Sequence, residues 1–389
     1  MASRKPAPKA PPSTSPRPPD DAAPPAAVLR RAHFLMRLSR AWDFRFEAMA
    51  RAGRIGRWYS AVGNEATTVG TALALRANDA LSTVHRDLGA VLTTYLDVTR
   101  LAPALFGDAD RTAWDALRPE PRALLDRLAC QVLGRRDGFT VGHDRSFHYG
   151  VMKPEWGIRH VGMISHLGSM IPVAAGLALA SVQDDAKAVV LGFIGEGATS
   201  QGDFHEALNL AGVMKLPLVL AVENNQYAFS TALAEQYACE KLSDRAAGYG
   251  IAGETVDGTD FDAVWAAMSR AVERGRAGEG ATLLEFMLPR MRGHAEGDGS
   301  YDLIPQAEKD RFLAMDPLPR FEAALVARGY ADAARLKAVE ALATEILEDT
   351  VERALAAPEP PPAEAWRSVY APGEAADAFA RQHAEVNHG

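Results

Sequence analysis

The sequence predicts an α/β fold in which a parallel sheet is covered by helices on both faces. Residues 187–194, which are apolar after Lys187, and residues 217–223, which are apolar up to Glu223, are predicted to be buried strands. Residues 203–214 between them are predicted to form a helix. Successive strands that are apolar on both faces and joined by a helix are typical of a parallel sheet. The 389 residues, of which 48% are hydrophobic and 24% charged, suffice for one large domain or two smaller ones.

The first 27 residues are predicted to be a disordered, proline-rich arm, since they contain nine prolines and no apolar segment of the kind found in secretory signals. Prolines at this density oppose the amphipathic helix of a mitochondrial presequence, so we expect a cytoplasmic protein. The absence of acidic residues before Asp20 keeps the mitochondrial matrix open as the less favoured alternative. Residues 28–389 are expected to form one domain that ends in helices.

Two helices are predicted before the first strands. Residues 26–52 contain no proline and place apolar side chains at near-helical spacing until Gly53 offers a stop. Residues 65–76 are rich in Ala and Leu and follow Gly63 and Asn64, which predicts a second, shorter helix.

Further elements are predicted later in the chain. Residues 172–181 are small and apolar, which favours a tightly packed helix, and residues 282–288 are a further strand candidate. Helical periodicity returns over residues 308–356 and is expected to break near Pro317 and Pro319. No internal repeat is visible in the sequence.

Charge, apolar run length and cysteine content exclude several classes of protein. A net charge of −8 and a pI near 5.7 give little support to a nucleic-acid or anionic-membrane partner. The longest purely apolar stretch, 216–222, is far shorter than the roughly 20 residues of a membrane-spanning helix. Cys130 and Cys239 have no close cysteine neighbour, so neither a disulfide framework nor a structural zinc site is expected, and a reducing compartment fits best.

Polar clusters follow both central strands. Residues 195–197 (Gly-Glu-Gly) follow the first strand, and Asn225 ends the second. Ligands of parallel sheets bind at the carboxyl ends of the strands, and a glycine-rich turn that opens a helix supplies N–H donors to a diphosphate. A carboxylate from Glu196, an amide oxygen from Asn225 and the carbonyl of Tyr227 are oxygen ligands of the kind that Mg²⁺ prefers. The sequence therefore predicts a site for a diphosphate and Mg²⁺.

Two commoner phosphate-binding motifs fit these residues less well. The dinucleotide fingerprint G-x-G-x-x-G, counted from Gly195, meets Ser200 where its third glycine belongs, which disfavours a nicotinamide-dependent dehydrogenase. Gly197 and Gly202 match the glycines of a Walker A loop. Asp203, however, stands where that loop requires a lysine, and its carboxylate would repel phosphate.

The same residues resemble a known family. Gly-Glu-Gly at 195–197, 26 intervening residues and Asn224-Asn225 are similar to the thiamine diphosphate motif, which usually reads GDG and NN. The run GEGATSQGDFHEALNLAGVMKLPLVLAVENNQYAFST resembles the alpha subunit of the E1 component of 2-oxo acid dehydrogenase complexes, a group with pyruvate, branched-chain and acetoin members. Further matches over roughly residues 30–345 are Gly63-Asn64-Glu65-Ala66 with GQEA, His85-Arg86-Asp87 with YRD, Ser165-His166-Leu167 with SPL, and Arg292-Gly293-His294 with RGH or HGH.

The resemblance implies a thiamine-diphosphate-binding fold and a role for each matching residue. Glu196, Asn225 and the Tyr227 carbonyl would ligate Mg²⁺, and His294 would be the catalytic residue, assisting proton movement or acyl transfer. The residues implied to contact the cofactor are His85, Arg86, Ser165, Leu167, Gly195, Glu196, Gly197, Ala198, Asn225 and His294.

The sequence departs from the family pattern at three places. His85 replaces the usual tyrosine, and its charge will vary with pH. His166 stands where relatives commonly carry Pro or Ile, so it either adjusts substrate or cofactor contacts or points into a neighbouring helix. Residues 295–297 (Ala-Glu-Gly) replace phosphorylatable serines, so control by phosphorylation at those positions is not expected.

The implied activity is oxidative decarboxylation of a 2-oxo acid with acyl transfer to a lipoyl acyltransferase, E2. An E1 beta subunit would supply the activating glutamate in an α2β2 heterotetramer, and the helix 26–52 and the stretch 168–180 are the candidates for part of that interface. Acetoin dehydrogenase, or a cofactor-binding paralogue without turnover, is the alternative.

Overall fold

A seven-stranded sheet lies at the centre of the computed structural model, which describes residues 23–96 and 119–366 together with positions 373, 377 and 378. The strands of this sheet are β1 (Ala80–Ser82), β2 (Val151–Lys153), β3 (Ile158–Gly162), β4 (Val190–Gly195), β5 (Leu218–Asn224), β8 (Ala252–Asp257) and β9 (Thr282–Met287), while β6 (Tyr227–Ala228) and β7 (Thr231–Ala232) form a separate antiparallel pair. The strand order of the sheet is β2-β3-β1-β4-β5-β9-β8, in which only the β2–β3 pair is antiparallel.

Helices alternate with these strands along the described chain. They are α1 (Ala26–Arg51), α2 (Glu65–Leu73), α3 (Leu88–Leu96), α4 (Pro119–Leu133), α5 (Met170–Gln183), α6 (Gly202–Val213), α7 (Leu233–Gln236), α8 (Phe261–Arg276), α9 (Gln306–Ala314), α10 (Pro317–Ala327) and α11 (Ala333–Ala356). No described helix is long and apolar enough to cross a membrane.

Each face of the sheet is buried under helices because the strand side chains alternate between two cores. Val190 and Ile194 of β4 face α5 and α6, whereas Leu191 and Phe193 of the same strand face α8. The prediction of a parallel sheet covered on both faces is therefore confirmed. β4 and β5 pair in parallel from Val190–Leu218 to Gly195–Glu223, which brings the polar residues that follow them to one edge.

A third core lies beside the sheet, where α1 packs against α11 and α3. Trp42 and Phe46 of α1 stack with ring centroids 5.5 Å apart and are fully buried. α1 buries most of its apolar side chains inside its own chain, while Phe44 of the same helix is 46% exposed, so its expected part in a subunit interface stays a prediction. The stretch 168–180 remains available, since Val173 of α5 is 44% exposed.

Several predicted boundaries need correction. The helix predicted over 65–76 ends at Leu73, because the Asp79 carboxylate accepts a hydrogen bond from the Arg76 N–H at 2.7 Å and holds residues 76–79 in a turn. Asn64 makes no side-chain cap for this helix.

The C-terminal helical region has the predicted break near Pro317 and one further break that was not predicted. It breaks before Pro317, which lies in the first turn of α10, where the missing N–H costs no hydrogen bond. A second break at Gly329, whose φ is +71°, separates α10 from α11. At the other end α1 begins at Ala26, inside the predicted arm, and residues 1–22 of that arm lie outside the described residues.

Candidate functional site

The predicted metal ligands lie together at the carboxyl ends of β4 and β5. Glu196 opens a 3₁₀ turn (Glu196–Ser200) directly after β4, and its carboxylate accepts a hydrogen bond from the Asn225 N–H at 3.3 Å. The Asn225 side-chain oxygen in turn accepts from the Tyr227 N–H at 3.2 Å. Glu196 and Asn225 are both buried, and burial raises the pKa of the Glu196 carboxyl above its ordinary value.

A guanidinium lies against this group. Nη1 of Arg290, from the loop after β9, donates to the Asn225 side-chain oxygen at 3.1 Å and to the Tyr227 carbonyl at 3.2 Å. Arg290 is buried, and its Nη2 has no hydrogen-bond partner among the described residues. The Asn225 side-chain oxygen and the Tyr227 carbonyl, both predicted to bind a metal, therefore accept hydrogen bonds from a cationic guanidinium group. The same oxygens can bind a metal cation.

The donor set fits a magnesium diphosphate. It combines one carboxylate, one amide oxygen and one backbone carbonyl, which leaves further positions of an octahedral ion for phosphate oxygens and water. No cluster of three or more His, Cys, Asp or Glu side chains in the described part of the chain could hold a metal by itself. The backbone approaches closely here, since a Cβ on Gly197 would lie 2.5 Å from the Cβ of Ala228. The first N–H groups of the 3₁₀ turn, at Gly197 and Ala198, are the available anion donors.

Acidic side chains form the floor of the site. Glu223, at the end of β5, accepts a hydrogen bond from Asn64 Nδ2 at 2.9 Å, and Asp87 lies beside it in a fully buried position. Burial and the Glu223 charge raise the pKa of Asp87 well above its ordinary value. The structure thus assigns the Asn64 of the GNEA segment and the Asp87 of the HRD segment to this floor rather than to the open site.

Arg86 connects two loops of the site. Its guanidinium donates to the Ser60 carbonyl and, at 2.6 Å, to the carbonyl of His294. Burial lowers the pKa of Arg86, while the charges of Glu223 and other nearby carboxylates oppose that shift. In this arrangement Arg86 holds the His294 loop in place, a contact that the sequence did not indicate.

His294 lies between two aromatic rings. Its imidazole meets Tyr59 edge-on, with centroids 5.4 Å apart, and Phe229 at 4.7 Å. Burial, helped by the charges of Arg86 and Arg290, lowers the pKa of His294 to about 4. The ring is therefore neutral at pH 7 and can accept a proton at one nitrogen.

The loop that carries His294 is better anchored than its glycine content suggests. The His294 N–H donates to Ser300 Oγ at 2.8 Å, and both oxygens of Asp298 accept hydrogen bonds within the loop. Met291 and Ala295 are buried. The loop therefore has apolar contacts that the sequence analysis did not anticipate.

A second group of aromatic and polar side chains adjoins His294 through Tyr59. His85 stacks on Tyr59 with centroids 4.4 Å apart and approaches His148 at 5.6 Å. Burial lowers the pKa of His85 to about 4, with a contribution from His148. His148 is oriented by Asp144, at 2.9 Å from its Nδ1, and Nε2 lies 2.8 Å from Ser165 Oγ.

The segment that carries Ser165 is the most open part of the site. Ser165, His166 and Leu167 are exposed, and Leu167 is 48% exposed. His166 therefore does not point into a neighbouring helix of this chain. An exposed position next to His148 suits contacts with a molecule or subunit outside the chain.

Sequence reasoning missed five residues that the structure adds to the site. The missed residues are Tyr59, Asp144, His148, Phe229 and Arg290. Of these five, only Arg290 had a signal in the sequence, because it lies four residues before His294, in a loop that already contains the predicted catalytic residue. The others lie far from any recognised motif, so only the fold brings them in.

Comparison with known proteins agrees with this geometry. The family model described as "Dehydrogenase E1 component" matches residues 33–363. The chain is 31% identical over 347 residues to 3-methyl-2-oxobutanoate dehydrogenase subunit alpha of Mycobacterium tuberculosis, covering 89% of this chain and 84% of that protein. It is 32% identical over 329 residues to 2-oxoisovalerate dehydrogenase subunit alpha of Bacillus subtilis, covering 83% and 91%.

A relative of a different activity matches about as well. The alpha subunit of acetoin:2,6-dichlorophenolindophenol oxidoreductase of Bacillus subtilis is 31% identical over 308 residues, covering 79% of this chain and 83% of that protein. The match of the family model over most of the chain, together with these relatives, shows that the chain belongs to the dehydrogenase E1 component family.

Proposed function

We propose that this chain is the alpha subunit of a thiamine-diphosphate-dependent 2-oxo acid dehydrogenase E1, which decarboxylates a 2-oxo acid and passes the acyl group to a lipoyl E2. The convergence of Glu196, Asn225 and the Tyr227 carbonyl at one sheet edge, below His294, is the observation that carries the proposal. Relatives named as dehydrogenase alpha subunits support it.

Each group of residues has a distinct task in this proposal. Glu196, Asn225 and Tyr227 hold Mg²⁺, and the N–H groups of Gly197 and Ala198 bind the diphosphate. The cofactor supplies the carbon nucleophile of the reaction, and the protein positions and polarises the reactants. The neutral His294 imidazole, flanked by the rings of Tyr59 and Phe229, holds or moves a proton at the substrate oxygen.

Removing a metal ligand should weaken cofactor binding without unfolding the chain. In Asn225→Ala we expect the affinity for thiamine diphosphate with Mg²⁺ to fall about 10- to 100-fold, because one oxygen ligand is lost. Isothermal calorimetry measures the affinity, and Asn209→Ala, at an exposed position on α6, is the matched control. Equal binding by Asn225→Ala and the parent chain would show that the metal assignment is wrong.

Cofactor binding should also slow hydrogen exchange in the His294 loop, residues 290–301. Three glycines at 293, 297 and 299 leave this loop less stable than the sheet, whereas a bound diphosphate would add contacts to it. Amide exchange followed by mass spectrometry, with and without cofactor and Mg²⁺, makes the comparison. Unchanged exchange in this loop would contradict the proposed contacts between the loop and the bound cofactor.

A beta subunit is proposed to cover the open side of the site. The candidate residues for this contact are the exposed apolar side chains of α5, α6 and the segments next to them, which are Leu167, Val173, Leu210, Val213 and Met214. Ligand sites at subunit interfaces are common, and the exposed Ser165 segment includes Leu167 of this set.

Acetoin cleavage is the second candidate, because an acetoin oxidoreductase subunit is among the similar proteins. Parallel assays of the reconstituted enzyme with acetoin and with 2-oxo acids, read with an artificial electron acceptor, separate the two. If the enzyme turns over acetoin but no 2-oxo acid, acetoin is its substrate and the proposed 2-oxo acid substrate is wrong.

A further inference from the structure

A cavity of about 230 Å³ opens beside the site. Its lining includes Arg57, Tyr59, His85, Asp144, Arg145 and Ser165. Tyr59 contacts His294 with its ring edge, so the cavity begins one ring away from the proposed catalytic residue. A group attached to a substrate at His294 can extend into this space.

The lining of the cavity is unusually polar for an acyl pocket. Arg57 and Arg145 are exposed toward it and make no hydrogen bond or ion pair with any described residue. An arginine carries its charge at any physiological pH and presents a planar fork that matches a carboxylate. The guanidinium groups of Arg57 and Arg145, which have no partner among the described residues, are therefore available to bind an anion in this cavity.

The other ionisable side chains that line the cavity, His85, Asp144 and His148, offset only part of this charge. His85 is neutral, because its pKa is lowered to about 4. The carboxylate of Asp144 is already engaged, one oxygen with His148 Nδ1 at 2.9 Å and the other with the Ser146 N–H. Two guanidinium charges and one carboxylate charge leave the cavity lining with a net positive charge.

The electrostatic influence of Arg57 extends to the reacting centre. Its charge is among the causes that lower the pKa of His294, after burial and the charges of Arg86 and Arg290. Arg57 therefore lies near enough to His294 for its charge to act on that imidazole, and it also lines the cavity.

We infer that this cavity receives the acyl chain of the substrate and that Arg57 and Arg145 select a 2-oxo acid whose chain ends in a carboxylate. The inference rests on the proposed function and adds the substrate class. An aliphatic branched chain offers no acceptor to these two exposed guanidinium groups and gains no binding energy from them. A terminal carboxylate satisfies them.

The size of the cavity is consistent with such a chain. At about 30 Å³ for each water molecule in the liquid, 230 Å³ equals about eight waters. An acyl chain of a few carbons with a terminal carboxylate fits within that space.

The test compares substrates on the enzyme reconstituted with its cognate beta subunit. We expect kcat/KM, measured with an artificial electron acceptor, to be higher for 2-oxoglutarate or 2-oxoadipate than for pyruvate or 3-methyl-2-oxobutanoate. In Arg57→Leu and Arg145→Leu, kcat/KM for the dicarboxylic acids should fall about 10- to 100-fold, mostly through KM, while that for 3-methyl-2-oxobutanoate stays equal or rises. Arg54→Leu, an exposed arginine outside the cavity, is the matched control.

Other outcomes have defined meanings. A preference for aliphatic acids that the two variants leave unchanged would overturn the inference but not the proposed function. Loss confined to acyl transfer to a lipoyl domain, with dye-linked turnover intact, would also overturn it, since the arginines would then contact E2. If no 2-oxo acid is turned over, the proposed function fails; calorimetric binding of 2-oxoglutarate that Arg57→Leu weakens would still support the carboxylate site, and absence of such binding would overturn it.

Discussion

The purified chain should show no measurable decarboxylation of any 2-oxo acid until its cognate beta subunit is added. The family resemblance implies that a glutamate of the beta subunit hydrogen-bonds the aminopyrimidine and activates the cofactor. The Ser165 segment, which would face the aminopyrimidine, is exposed, as expected if another subunit completes the site. A carboxylate that promotes the reactive form of the cofactor controls the whole rate, so the expected loss is nearly complete.

The measurement is dye-linked decarboxylase activity of the chain with and without the beta subunit, at saturating thiamine diphosphate and Mg²⁺. Cofactor binding by the isolated chain, followed by calorimetry, separates a missing partner from a damaged site. Substantial turnover by the chain alone would show that no beta subunit is needed for activity and would place the activating acid within this sequence.

Replacing His294 should produce the second large effect. In the reconstituted enzyme His294→Ala should lower kcat about 10²- to 10⁴-fold, the usual contribution of a positioned acid–base group. Cofactor affinity should change much less, since the metal ligands remain. His205→Ala, at an exposed position on α6, serves as the control, and single-turnover assays show whether decarboxylation or acyl transfer is slowed.

The protonation of His294 gives this prediction a direct readout. Because burial and two arginines lower its pKa to about 4, the imidazole of the cofactor-free chain should stay neutral as the pH falls from 8 to about 5 and gain its proton only near pH 4. The negative diphosphate should then raise that pKa. Nuclear magnetic resonance titration of the ring follows both; a midpoint near 6.5 without cofactor would contradict the assigned environment.

The sheet could be predicted from the sequence where its strands are apolar runs, and it was missed where they are short. β4, β5 and β9 each read as buried strands, whereas β1 has only three residues and β8 is half-exposed. Short strands give no periodicity that separates them from loops. Their place in the sheet depends on pairing with β4 and β9, which is long-range information.

The site divides in the same way. Glu196 and Asn225 were predictable because each follows a recognisable strand, and the ends of adjacent parallel strands meet. Tyr59 and His148 were not, since they come from loops that flank other elements and meet His85 only in the folded chain. The contact of Arg290 with Asn225 required the length and direction of a long side chain, which no pattern encodes.

The packing of α1 against α11 has a consequence for how the chain folds. Arg37 of α1 pairs with Glu322 at 2.6 Å and with Glu340 at 2.8 Å, partners about three hundred residues later in the sequence. During synthesis the apolar face of α1, with Trp42 and Phe46, therefore cannot complete its packing until α10 and α11 have been made. Contacts at such separation are slow to form, and the waiting helix is exposed to association with other chains meanwhile. The apolar face of α1 is thus among the last parts of the described core to reach its native packing.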